Sequence, residues 1–309
     1  MISYINESLK VINKKEMAWQ KENIPPLKAD EILIKTTATA VSTASELAVY
    51  NNHNTSIPVQ SGYESVGIIV DVGTDISLFK IGDRVLSFYG HQTFSVLNEN
   101  QIIKIPDDIS TKTALLAILS CDSAKGAVKI NPQTDDHVII TGAGTMGLLT
   151  LFYLKNKYHI KRVDIIDPDV KRLTAAELLD ADEVYTYSPN GLENTYDTGF
   201  ECSDNDSAFR HLQKLVKPNA AICVLSDGNN GSFNLSQDFF DKELSIVKSN
   251  DGYNYHAHAD WLFSIEQNKL KQLNNIFDME VHQTDLITLF EHLDNQTVQP
   301  IKVLVHYSE

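Results

Sequence analysis

Two kinds of apolar patterning divide this chain. Up to about residue 115 the apolar positions come in short runs, at 31–36, 65–72, 83–88 and 93–97. Pro25-Pro26, Gly73, Gly82-Asp83, Gly90 and Pro106-Asp107 punctuate them. That spacing predicts short strands in a barrel or sandwich. From about 115 to 250 apolar runs alternate with helical stretches. Strands are predicted near 138–140, 163–166, 183–187, 196–202, 220–225 and 244–247, and helices at 169–180 and 207–216, the second ending before Pro218-Asn219. Continuous runs such as Val138-Ile139-Ile140 are what a strand buried on both faces requires, so six of them predict a doubly wound parallel sheet. The tail, 255–309, reads as two helical segments and a final strand at 301–305. The expected fold class is therefore α/β: a β-rich domain of 1–115 completed by 255–309, and a parallel-sheet domain of 116–254.

The most specific chemistry sits after the first strand of that sheet. Gly142, Gly144 and Gly147 follow Val138-Ile139-Ile140 at G-x-G-x-x-G spacing, a helix follows, and the second strand ends on Asp167. The first glycine permits the tight turn, the second admits a pyrophosphate, and the third lets helix pack on strand. The amides of Thr145 and Met146 face the same anion at the positive end of the helix. Asp167 is expected to accept from the adenosine ribose hydroxyls and to repel a 2′-phosphate, which selects NAD(H) over NADP(H). Ser203 and Ser226 end the fourth and fifth strands, at the edge where open α/β sheets bind ligands.

Composition narrows the partners. Of 309 residues 42% are hydrophobic and 22% charged, with a net charge of −15 and a pI near 5.0. An acidic surface argues against nucleic acid or anionic membrane as partner, and a small-molecule substrate is expected. No apolar run reaches the length of a membrane helix, and the first residues lack the apolar stretch of a signal peptide. Cys121, Cys202 and Cys223 are far apart and lack C-x-x-C spacing, so reduced thiols and a cytoplasmic location are expected.

Several further segments carry a family resemblance. Gly62-Tyr63-Glu64-Ser65-Val66-Gly67 with Val70-Asp71-Val72-Gly73, Phe79-Lys80-Ile81-Gly82-Asp83-Arg84-Val85, Ile105-Pro106-Asp107 and Phe200-Glu201-Cys202 resemble motifs of the medium-chain dehydrogenases/reductases, the alcohol-dehydrogenase-like superfamily. The resemblance runs from about residue 30 to 305. It implies a GroES-like catalytic domain ahead of a Rossmann domain, with nicotinamide in the cleft between them. It also implies an Arg172 lying against adenine, with a solvated helix charge as the plain alternative, and a homodimer paired through 244–248.

The same resemblance identifies a departure. Typical zinc-dependent members hold Zn²⁺ with a Cys, the His of a GHE motif and a later Cys or acid. In Val41-Ser42-Thr43-Ala44-Ser45-Glu46-Leu47, Thr43 stands at the first ligand position, and Tyr63 replaces the histidine. Cys121 is near the third position, which spacing places closer to Ile118 or Leu119. The four-cysteine structural zinc lobe is absent, so no zinc is expected. Another group must then stabilise an oxyanion and move its proton. Tyr63, His91, Glu64 and Ser45 are the candidates. Three of them also have a structural reading: Tyr63 as filler of the metal pocket, Glu64 as a hydrogen-bonding residue, Ser45 as a cap or turn. His256 and His258 read as a surface loop, and His282 as structural. The implied function is a zinc-independent, NAD(H)-dependent oxidoreductase acting on an alcohol or carbonyl. The alternatives are an NADPH quinone or enone reductase, and a nucleotide-binding regulator without catalysis.

Overall fold

In the computed structural model, which describes residues 4–51, 56–187, 190–227 and 231–308, the N-terminal segment is already strand. β1 (Ile5–Asn13) and β2 (Glu16–Asn23) form an antiparallel hairpin turned at Lys15, whose φ is +58°, and β4 (Val59–Gln60) joins them after β3 (Glu31–Val41) and helix α1 (Thr43–Tyr50). Leu9, Val11 and Met17 are buried there, while the intervening Asn and Lys positions dilute the apolar signal. β5 (Glu64–Val72), β6 (Arg84–Phe88), β7 (Phe94–Asn98) and β8 (Ile103–Lys104) follow, then helix α2 (Thr111–Ile130). β3 runs five residues past its predicted end; its register with β5 shifts at Leu33/Ile34 and Thr36/Ala38, and its first half pairs with β7.

The next segment is the alternating one: β9 (His137–Thr141), α3 (Thr145–Tyr153), β10 (Arg162–Ile166), α4 (Val170–Leu178), β11 (Glu183–Tyr185), β12 (Tyr196–Glu201), α5 (Asp206–Leu215), β13 (Val216–Val224), α6 (Gln237–Asp241), β14 (Ser245–Lys248), α7 (Tyr255–Phe263) and α8 (Gln267–Leu273). The six strands are all parallel, in the order β11-β10-β9-β12-β13-β14. The order reverses between β9 and β12, the switch point of a doubly wound sheet. α5 ends at Leu215, close to prediction, but β13 begins at once and contains Pro218. The register with β12 slips between Tyr196 and Thr198, and proline is tolerated at such an irregularity.

The tail differs most from its sequence reading. His256 and His258 lie on helix α7, capped by the Asn254 side chain, which accepts the Ala257 amide. β15 (Phe277–His282), α9 (Leu286–Asp294) and β16 (Lys302–His306) then form a parallel β-α-β unit, so three helices and two strands stand where two helices and one strand were predicted. β16 pairs antiparallel with β3, placing this β-α-β unit in the β-rich sheet, whereas α7 and α8 belong to the parallel-sheet unit.

Two compact units result: Met1–Leu116 with Phe277–Glu309, and Ala117–Ile276. In the first, Leu9, Val11, Val41, Phe290, Val303 and Val305 centre one core, and Ile32, Ile34, Ile69, Val85 and Ile102 another. In the second, Ile139, Tyr196, Phe209, Leu212 and Ile222 pack α5 onto the sheet. Among the described residues no helix is long and apolar enough to cross a membrane.

Candidate functional site

In the parallel-sheet unit the three fingerprint glycines occupy different surroundings. Gly142 has φ +93°, and a side chain there would meet the Ser203 amide at 2.7 Å. A Cβ on Gly147 would lie 1.8 Å from the Gly142 carbonyl oxygen, so helix α3 can approach the turn only without one. Above Gly144, the N-cap of α3, nothing lies within 4 Å of the Cβ position. The turn is thus closed on two sides and open where backbone would meet a pyrophosphate. Thr145 and Met146 begin α3 directly beneath that opening.

Asp167 is buried at the end of β10. One of its oxygens accepts the Ala143 amide at 2.7 Å and the other the Asp169 amide at 2.8 Å. Arg172 brings its guanidinium within 4.0 Å of Asp167 and 3.7 Å of Asp169. Two strands away, Glu201 is fully buried at the end of β12. It accepts the Ser203 amide at 2.7 Å, the Ser203 hydroxyl at 2.6 Å and the Ser226 hydroxyl. The sequence reading singled out both serines but gave Glu201 no task. A short polar residue two positions after a strand-ending acid was the available signal.

In the β-rich unit, the predicted proton-handling residues differ in access. Tyr63 is 39% exposed, Ser45 is half-buried on α1, and Glu64 and His91 are fully buried. Gly62 makes room for His91, since a Cβ at its φ of +89° would lie 2.7 Å from the His91 amide nitrogen. Both ring nitrogens of His91 are engaged: Nδ1 pairs with the Thr39 hydroxyl at 2.7 Å and Nε2 with Glu46 at 3.1 Å. Glu46 also accepts the Ser61 hydroxyl at 2.7 Å and the Ser42 amide at 2.8 Å. Burial alone would raise the Glu46 carboxyl, but the His91 charge and these hydrogen bonds hold it below its ordinary range. Glu64 takes the Lys302 ammonium at 2.7 Å and the Ser42 hydroxyl at 3.0 Å, so Ser42 links the two buried carboxylates. Thr39, Glu46, Ser61 and Lys302 were not predicted. Their partners are distant in sequence, and nothing local announces the pairing.

Two of the thiols are poor nucleophiles. Burial pushes Cys223 up to about 11 and, with the Glu201 charge, Cys202 well above its usual value. His258 is buried with Nε2 2.9 Å from the Ser120 hydroxyl, and desolvation pushes it down to about 4.

Fold and fingerprint turn together define a parallel-sheet unit of the Rossmann class in a chain with a second, β-rich unit. Residues 28–107 match the family model of the alcohol dehydrogenase GroES-like domain. The starvation-sensing protein RspB of Escherichia coli K12 is 24% identical, over 98% of this chain and all of that protein. These likenesses place a GroES-like segment at residues 28–107 in a chain similar to RspB. Among solved structures, RspB of E. coli CFT073 complexed with NADH superposes with a TM-score of 0.82 at 20% identity, covering 98% of this chain and 99% of that one. S. aureus TarJ in complex with NADPH gives 0.82 at 18%, covering 99% and 100%.

A catalytic zinc of the alcohol-dehydrogenase kind requires thiolate, imidazole or carboxylate donors converging on one point. Thr43 offers a hydroxyl without a hydrogen-bond partner among the described residues, Tyr63 a phenol, and Ile118 and Leu119 nothing. His91 and Glu46 already bind each other. Among the described residues no three His, Cys, Asp or Glu side chains are grouped to share an ion. These donors do not fit a catalytic zinc.

Proposed function

We propose that this chain is an NAD(H)-dependent, zinc-independent oxidoreductase acting on an alcohol or carbonyl compound. The observation that carries the reading is the fingerprint turn, closed at Gly142 and Gly147 and open at Gly144. The Thr145 and Met146 amides receive the pyrophosphate, and Asp167 orients the ribose while holding the turn through Ala143. The bound nicotinamide supplies hydride chemistry.

Proton handling falls to the β-rich unit. Tyr63, the exposed member of the four candidates, donates a proton or hydrogen bond to the developing oxyanion. Ser45 relays that proton. Glu64 is held by Lys302 and Ser42, and His91 by Thr39 and Glu46, so these two keep the segments carrying Tyr63 and Ser45 in place. A second reading, an NADPH-linked quinone or enone reductase, draws on Arg172, whose guanidinium beside Asp167 could meet a 2′-phosphate.

Hydride exchange from 4-deuterated NADH to a panel of aldehydes, ketones and enones tests the proposal. Label transfer to a carbonyl carbon that is lost in Tyr63→Phe supports it. Transfer only to enones favours the second reading, and nucleotide binding without transfer to any acceptor leaves a non-catalytic nucleotide-binding protein.

A further inference from the structure

Glu201 is a buried carboxylate with no cation in ion-pair range among the described residues. Burying a charge without a counter-charge is costly unless hydrogen bonds compensate. Here the compensation comes from residues in two loops. Ser203 donates its amide and hydroxyl from the loop after β12, and Ser226 its hydroxyl from the loop after β13. The Glu201 carbonyl also accepts the Leu225 amide at 2.8 Å and the Ser226 amide at 3.3 Å.

The clamp extends to both sides. The Ser203 amide packs against Gly142, 2.7 Å from where its Cβ would be, and Lys248 at the end of β14 donates to the Ser226 carbonyl at 2.5 Å. Asp167 performs the corresponding task on the other half of the sheet, tying the loop after β10 to the turn after β9 through Ala143. Two buried acids thus fasten the loops at the carboxyl edge, one in each mononucleotide half of the fold. The half built on β9, β10 and β11 takes the adenosine and pyrophosphate, and the half built on β12, β13 and β14 faces the second nucleotide.

We propose that Glu201 is a positioning residue which, by holding Ser203 and Ser226, sets the spacing of the two loops that receive the nicotinamide half of the dinucleotide. The assignment rests on the nucleotide-binding reading above. It separates the two halves of the ligand: loosening Glu201 weakens capture of the nicotinamide end and leaves the adenosine end, anchored through Asp167 and α3, as it was.

Titration of the full chain with AMP and with NADH measures this. Glu201→Gln, and separately the pair Ser203→Ala with Ser226→Ala, are expected to weaken NADH binding about tenfold and to change AMP binding by less than about twofold. The emission change of bound NADH, which reports the nicotinamide surroundings, is expected to shrink in both. The glutamine keeps an acceptor toward Ser203, and the serine pair leaves the carboxylate untouched, so a folding defect in one variant still leaves the other to be read. Equal losses for AMP and NADH, or undiminished NADH binding in both variants, overturns the assignment. Wild-type protein that binds neither ligand overturns the nucleotide-binding reading and this assignment with it.

Discussion

The Asp167 carboxylate accepts the Ala143 amide at 2.7 Å, so the acid that ends the second strand of the parallel sheet also fastens the glycine turn that ends the first. In the proposed function, cofactor selection and the shape of the phosphate cradle therefore depend on one side chain. Asp167→Ser removes the charge that repels a 2′-phosphate and loosens the turn. NADH affinity is expected to fall about tenfold while NADPH affinity holds or rises. Parallel titrations measure the ratio, and an unchanged ratio removes Asp167 from cofactor choice.

The two later fingerprint glycines make opposite predictions. Gly147→Ala forces a contact of 1.8 Å with backbone, so its melting temperature should drop sharply. Gly144→Ala meets open space at a φ of −74°, so its melting temperature should stay within about 2 °C of wild type while NADH binding is lost. Thermal melts alongside titration separate the two effects. A Gly144→Ala protein that binds NADH normally would argue against a pyrophosphate at that opening.

The Glu46–His91 pair is fully buried, and removing one partner strands the other. His91→Phe should cost about 3–5 kcal/mol in urea unfolding. The Glu46 carboxyl is held below its ordinary value, so its stabilisation is in place above the unfolded carboxyl's pKa and is lost as pH falls through the folded one. Urea midpoints at pH 7 and pH 4 should therefore differ less in His91→Phe than in wild type.

His258 gives a second pH dependence, through a histidine kept neutral. Its folded value is about 4, against 6.5 in the unfolded chain. The unfolded chain takes the proton first as pH falls. Stability present above pH 6.5 should decline toward pH 4, by about 3 kcal/mol. In His258→Gln that part of the decline should vanish, and an identical pH profile would contradict the assignment.

The parallel sheet was legible because its central strand β9 is buried on both faces and announces itself as an apolar run, and the other strands alternate with helical stretches around it. The β1–β2 hairpin was not, because it buries one face and the alternation is diluted by Asn and Lys. Helix α7 was hidden by its polar start, since only the Asn254 cap marks where it begins. In the proposed site the residues with a local signal were the readable ones: spacing marked Gly142, Gly144, Gly147 and Asp167. The departures at Thr43 and Tyr63 were visible once the family motifs were recognised. What could not be read were partnerships across the fold, such as Lys302 with Glu64 and Glu46 with His91. Glu201 lay inside a quoted motif, yet its bonds to Ser203 and Ser226 depend on the side-by-side placement of β12 and β13.

The central claim is a nicotinamide oxidoreductase that works without zinc, and metal analysis of the purified chain joined to NADH and NADPH titration tests it most directly. The account predicts tighter binding of NADH than of NADPH, with substoichiometric zinc and turnover that survives chelation. One tightly held zinc per chain whose removal abolishes turnover, or a clear preference for NADPH, would contradict it.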